Sequence, residues 1–151
     1  MTRFDLETFL PYQLNELSRA VSAGFSHHYR ERYGITVAEW RVVAHLSQED
    51  KVSVREITRR VGMDKPKVSR AATRLEAGGY VVKVVNETDR RLVQLTLTDK
   101  GREMIATLAP IAQAYDAELR NVLGDKYDAF REAVTLLTTR TRERDPADGT
   151  F

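Results

Sequence analysis

Cysteine is absent from the 151 residues, and its absence removes several functions at once. The chain has no disulfide framework, no thiol nucleophile, no thiolate metal site and no thiol-based redox sensor. No apolar run approaches the length needed to cross a bilayer. The start, Met1-Thr2-Arg3-Phe4-Asp5, has neither the basic opening nor the apolar core of a signal peptide. A cytoplasmic location without membrane contact is the expectation. Only three histidines occur. His27 and Glu31 stand one helical turn apart, as two metal ligands would, but no third or fourth ligand accompanies them and no metal is expected. There is no Gly-rich phosphate loop, no H-E-x-x-H and no G-x-S-x-G. Ser69 has no histidine near it in sequence, so neither an enzyme nor a cofactor-dependent protein is expected.

What the chain does have is charge, unevenly placed. Charged residues make up 30% and the hydrophobic set 42%, a balance that suits a soluble helix-rich protein with a proper core. The net charge is only +2, yet residues 51–100 carry 12 Lys and Arg against 6 Asp and Glu. The remainder carries 12 against 16. A basic block between acidic flanks is the footprint of a polyanion partner, without indiscriminate coating of nucleic acid.

Within that block, Asp64 to Gly79 reads as one amphipathic helix. Asp64 can cap its first N–H groups, Pro66 is tolerated in the first turn, and Gly78-Gly79 end it. Val68, Ala71, Ala72 and Leu75 share one side at spacings of three and four. The opposite side carries Pro66, Ser69, Arg70, Thr73 and Arg74, with Lys65 and Lys67 at the leading end. Arg and Lys suit guanine edges and phosphates, and short hydroxyls allow close approach, so this face fits a DNA major groove. A merely solvated helix face would look similar.

The surroundings extend the pattern. Leu10, Leu14, Leu17, Val21, Phe25 and Tyr29 form a narrow stripe on a long first helix, closed by Gly34 and suited to packing on a partner subunit. Thr36-Val37-Ala38-Glu39 is a capping box opening a second helix to about Gln48. Ser53-Val54-Arg55-Glu56 is another, opening a short helix that stops at Gly62. Two short helices, a glycine turn and a basic helix make a helix-turn-helix. Tyr80–Val85 and Arg91–Leu97 then read as the strands of a hairpin with the polar tip Asn86-Glu87-Thr88-Asp89-Arg90. Thr98 and Asp99 open a long helix to Gly124 whose apolar period runs from Met104 to Val122, with Pro110 expected to bend it. A last helix starts near Asp125 and Asp128, and the chain turns polar from Thr139 through Arg144, Asp145 and Pro146, where fraying is expected.

This order, with Asp89-Arg90-Arg91 at the hairpin tip and Leu97-Thr98-Asp99-Lys100-Gly101 after it, resembles the MarR family of bacterial winged-helix regulators from about Leu10 to Leu137. The resemblance implies a mainly α (α+β) fold, a single domain over 1–151. About 36–99 would form the winged helix-turn-helix lobe, and about 8–33 and 100–140 the helical dimerisation region. It implies a homodimer on pseudo-palindromic double-stranded DNA, usually as a repressor. The Asp64 helix would lie in the major groove and Arg91 in the adjacent minor groove, with Asp89 holding its guanidinium. The two helices would stand about 34 Å apart. A cation on a slim hairpin suits a narrow electronegative groove independently of any family. Arg90 belongs to the same tip. Ser53 and Arg55 at a helix N-terminus are candidate phosphate contacts.

The resemblance further implies a site for an aromatic acid or phenolic effector between the dimerisation helices and the DNA-binding lobe. Tyr12, Phe25, His28, Tyr29, Trp40, Arg41 and Tyr115 are candidates to line it. Aromatics at helical spacing serve equally as core, and Arg41 could pair with Glu39 or Asp50. A winged helix used for protein contacts alone is the competing reading. It has no need of Arg70, Arg74 and Arg91 on a helix face and a wing tip.

Overall fold

The computed structural model describes residues 2–144. The order is α1 (Leu10–Tyr33), α2 (Val37–Leu46), β1 (Val52–Ser53), α3 (Val54–Val61), α4 (Lys65–Ala77), β2 (Val81–Val85), β3 (Val93–Leu97), α5 (Asp99–Leu123) and α6 (Tyr127–Arg144). A single 3-10 turn at Gly124–Lys126 joins the last two helices. The three strands form one antiparallel sheet in the order β1-β3-β2. β2 and β3 pair from Val81 opposite Leu97 to Val85 opposite Val93, and Val52 and Ser53 pair with Leu95 and Gln94.

The capping signals act where expected. Thr36 accepts from the Glu39 N–H at 3.2 Å while the Glu39 carboxylate accepts from the Thr36 N–H at 2.7 Å, so the box opening α2 is complete. The second box is only half formed. The Ser53 hydroxyl accepts from the Glu56 N–H at 3.1 Å, but the Glu56 carboxylate turns to Arg60 at 3.2 Å. Arg60 also reaches Glu49 at 2.7 Å and ties the loop after α2 to α3. Gly34 and Gly62 close α1 and α3 in the left-handed conformation, at φ 66° and 65°.

The core gathers one face from each element: Tyr29 of α1, Val42, Val43 and Leu46 of α2, Ile57 of α3, Val68, Ala72 and Leu75 of α4, Leu95 of β3, Met104 and Leu108 of α5. Periodicity identified these faces correctly, but it overreached at the ends of the long helices. Val122 keeps the helical period and is 85% exposed, because no described residue covers it. Of the α1 stripe only Phe25 and Tyr29 are buried, while Leu10, Leu14 and Leu17 stand exposed. α6 leaves Phe130, Val134, Leu136 and Leu137 exposed as well. α5 stays helical through Pro110. α6 continues past Thr139 to Arg144 rather than fraying, and Asp145 and Pro146 lie outside the described residues. No helix among the described residues is long and apolar enough to cross a membrane.

Candidate nucleic-acid interface

α4 is built as its sequence dictates. The Asp64 carboxylate accepts from the Lys67 N–H at 2.9 Å, filling one of the donor vacancies of the first turn, and Pro66 needs no partner there. Val68, Ala71, Ala72 and Leu75 are all buried against the core. That orientation leaves Lys65, Pro66, Lys67, Ser69, Arg70, Thr73 and Arg74 exposed on the other side. Among the described residues no carboxylate pairs with any of these cations. Asp64→Ala should lower the thermal midpoint by about 2–4 °C through loss of the cap, whereas Asp64→Asn, which keeps an acceptor, should stay near the parent in the same melt.

The helix does carry one further carboxylate, and the fold directs it away from the outer face. Glu76 is held by the Lys83 N–H at 3.3 Å, with the Lys83 ammonium 3.9 Å from its other oxygen. The same ammonium donates to the Thr73 hydroxyl at 2.9 Å, and that hydroxyl donates to the Ser69 carbonyl at 3.0 Å. Thr73 is therefore exposed, but its hydroxyl proton is committed to its own helix.

At the wing the tip is set by side-chain acceptors. The Asn86 amide oxygen accepts from the N–H groups of Thr88 and Asp89, at 2.9 and 3.0 Å. Backbone bonds from Asn86 to Leu92 and from Leu92 to Asp89 close the loop. Asp89 takes both the backbone N–H of Arg91, at 3.1 Å, and its Nε, at 3.3 Å. The Arg91 side chain is nevertheless 90% exposed, so its guanidinium is aimed and free to meet a partner. Arg90 is exposed beside it.

Between α3, α4 and the wing lies an open cleft of about 840 Å³ whose lining includes Arg55, Arg59, Lys65, Ser69, Thr73, Lys83 and Arg91. Five of these seven side chains are cationic. Four were expected in the interface from their residue type and position and come together with the wing arginine here. Two cations of the cleft, Arg59 and Lys83, lie outside the sequence-based set. Lys83 had a legible signal: it is the single charge in the β-branched run Tyr80–Val85. Ser53, proposed as a phosphate contact, is not available for one. It is 7% exposed, its backbone is paired in β1 and its hydroxyl caps α3. Arg55, two residues on, is exposed.

Four of the seven candidate effector residues pack ring on ring. Phe25 and Tyr115 stack at 5.9 Å, Tyr29 and Trp40 stack at 5.4 Å, and Phe25 meets Trp40 edge-on at 5.2 Å. These rings fill the junction of α1, α2 and α5 as core. Tyr12 lies in the first turns of α1 and is exposed. His28 leans on Phe25 and lines a separate recess with Glu31, Arg32 and Ile111. The Glu39 carboxylate is engaged in its cap, and among the described residues Arg41 pairs with neither Glu39 nor Asp50. Burial raises the Tyr29 phenol above its ordinary range, against the opposing influence of Arg30 and Arg41. Burial, with Arg60 nearby, holds His45 below the usual histidine value.

Known proteins share this arrangement. A family model described as the MarR family matches residues 33–92, the span from the end of α1 to the wing tip. The HTH-type transcriptional regulator BilQ of Clostridioides difficile is 27% identical over 93 residues, which is 62% of this chain and 63% of BilQ. The match thus spans less than two thirds of that relative's length. The solved MarR family regulator SPO1453 from Silicibacter pomeroyi superposes with a TM-score of 0.75 at 28% identity, over 91% of this chain and 98% of its own. The transcriptional repressor CouR, solved bound to a 23-mer DNA duplex, superposes with a TM-score of 0.75 at 26% identity, over 91% and 99%. The matched segment contains the cationic cleft and the shared fold extends over both flanking arms, so the chain has the winged helix-turn-helix fold of the MarR family transcriptional regulators it is similar to.

Proposed function

We propose that the chain binds double-stranded DNA in a sequence-selective way, as a homodimer on a pseudo-palindromic operator, and represses transcription there. The single observation that carries this is one open cleft that brings Arg55, Arg59 and Lys65 together with the Asp89-oriented Arg91, beside the exposed α4 face of Lys67, Arg70 and Arg74. In the complex, α4 lies in the major groove, where Lys65, Lys67, Arg70 and Arg74 divide between phosphates and base edges. Arg91 enters the adjacent minor groove, and Arg55 contacts the backbone. Thr73 offers an acceptor and a methyl group rather than a hydroxyl proton, since its proton is held by Ser69. CouR, seen on a DNA duplex, supports the reading by its shared fold. A DNA target places the protein in the cytoplasm.

The second copy follows from exposed apolar surface. Leu10, Leu14 and Leu17 on α1 and Phe130, Val134 and Leu137 on α6 are too many large apolar side chains for two helices facing water. Pairing these arms with a second chain removes them from solvent and duplicates α4 and the wing. An aromatic acid or phenolic effector belongs to the same reading. It would enter at the α1–α2–α5 junction by displacing ring contacts among Phe25, Tyr29, Trp40 and Tyr115, with Arg41 near its carboxylate.

Selection from a pool of randomised duplexes tests the proposal. The protein should recover a sequence with twofold symmetry and sediment as a dimer. Its affinity should fall with a log–log salt slope of about −5 or steeper, as expected for six or more phosphate contacts. No recovered sequence, or a flat salt response, would transfer the cleft to protein contacts.

A further inference from the structure

We infer that Lys100 and Thr98, at the start of α5, are positioning residues for the recognition helix: they hold its C-terminal end and so set how its outer face meets DNA. The inference rests on the DNA-binding reading above. A helix ends with carbonyls that lack partners along its own axis. In α4 some of that need is met locally, because the N–H groups of Gly79 and Tyr80 return to Glu76 and Leu75 at 3.0 and 2.9 Å, with Gly79 at φ 81°. The carbonyls just past the helix, from Gly78 on, are met from outside. The Lys100 ammonium donates to the Gly78 carbonyl at 2.7 Å, and the Thr98 hydroxyl donates to the Gly79 carbonyl at 2.6 Å. The Thr98 N–H donates to the Tyr80 carbonyl at 3.0 Å. Three consecutive carbonyls leaving α4 are thus taken by two residues that open α5.

The charge has the right sign, since an ammonium stabilises the negative end of a helix dipole. It also sits 4.6 Å from the centre of the Tyr80 ring, which shields it further. Lys100 is not among the side chains that line the cationic cleft. Along the same helix, the Tyr115 hydroxyl donates to the Val21 carbonyl of α1 at 2.8 Å. One helix, α5, therefore meets both the end of α4 and the first helix.

The test separates aiming from charge. Lys100→Met keeps the stem and removes the ammonium, while Lys100→Arg keeps the charge. Binding is measured by fluorescence anisotropy, between about 50 and 200 mM salt, to the duplex selected by the parent protein and to an unselected randomised duplex of equal length. Lys100→Met should weaken binding to the selected duplex about tenfold, leave the randomised duplex unchanged and keep the salt slope. Lys100→Arg should restore selectivity. Thr98→Ser, which keeps the hydroxyl, should match the parent, and Thr98→Val should lose selectivity. Equal losses on both duplexes with a slope shallower by about 0.9 per contact would make Lys100 a phosphate ligand and overturn the inference. Unaltered binding by Lys100→Met, from a parent that does select, would overturn it alone. A parent that selects nothing overturns the DNA reading and this inference together.

Discussion

Arg91→Ala should reduce affinity for the selected duplex by about a hundredfold, the larger of the losses expected from single cations in the cleft. A hydrogen bond to a charged group contributes about 1.5–3 kcal/mol, and a dimer loses two such contacts, so even the low figure gives about a hundredfold. The salt slope should become shallower by about 1 for each wing. The Asp89 pairing refines the expectation. At the surface, an ion pair with an arginine that is 90% exposed contributes little to stability. What the carboxylate does is hold Nε and the backbone N–H of Arg91 together, restricting a side chain that otherwise loses up to about 2 kcal/mol of rotamer entropy on binding. Asp89→Ala should therefore cost affinity but far less than Arg91→Ala, because the cation remains and only its aim is lost. Titration by anisotropy at three salt concentrations checks both. Equal affinities for Arg91→Ala and the parent would remove the wing from the interface.

Much of this arrangement is legible in the chain because its signals are local. Asp64 and Lys67 are three residues apart, Thr36 and Glu39 likewise, and Gly62 and Gly79 stand where the backbone must take a left-handed turn. The outer face of α4 follows directly, since burying Val68, Ala72 and Leu75 leaves it no other direction. What is not legible depends on distance along the chain. Two-residue β1 has no periodicity to read, and it exists because Val52 and Ser53 lie against Leu95 and Gln94. That pairing, with the cap on α3, is also what takes Ser53 out of reach of a phosphate. Glu76 meets Lys83 only after the chain reverses at Gly79, and Lys100 meets Gly78 across 22 residues. Period alone shows which residues share a face and not whether anything covers it. Hence Leu14 and Phe25 belong to one stripe, but one is exposed and the other is packed among rings.

Gly101→Ala should destabilise the protein by about 2 kcal/mol, against the direction that helix propensity suggests. An alanine in place of glycine inside an unobstructed helix gains up to about 1 kcal/mol, and Gly101 lies in the first turn of α5 at an ordinary helical conformation. Space decides otherwise. A Cβ on Gly101 would run into the carbonyl oxygen of Tyr80 and lie 3.0 Å from the Leu97 side chain. That oxygen belongs to the backbone and already accepts the Thr98 N–H at 3.0 Å, so it cannot withdraw without breaking the bond that ties Tyr80 to the residue capping α5. Overpacking against a fixed group costs about 1–3 kcal/mol or more, which outweighs the propensity gain. The thermal midpoint should drop by about 4–8 °C. Because the displaced group is the strand that leaves the recognition helix, the duplex selected by the parent should also be bound more weakly, even well below the midpoint. A rise in midpoint would mean that α5 can lift from Tyr80 at no cost, and the joint would then be too loose to aim α4.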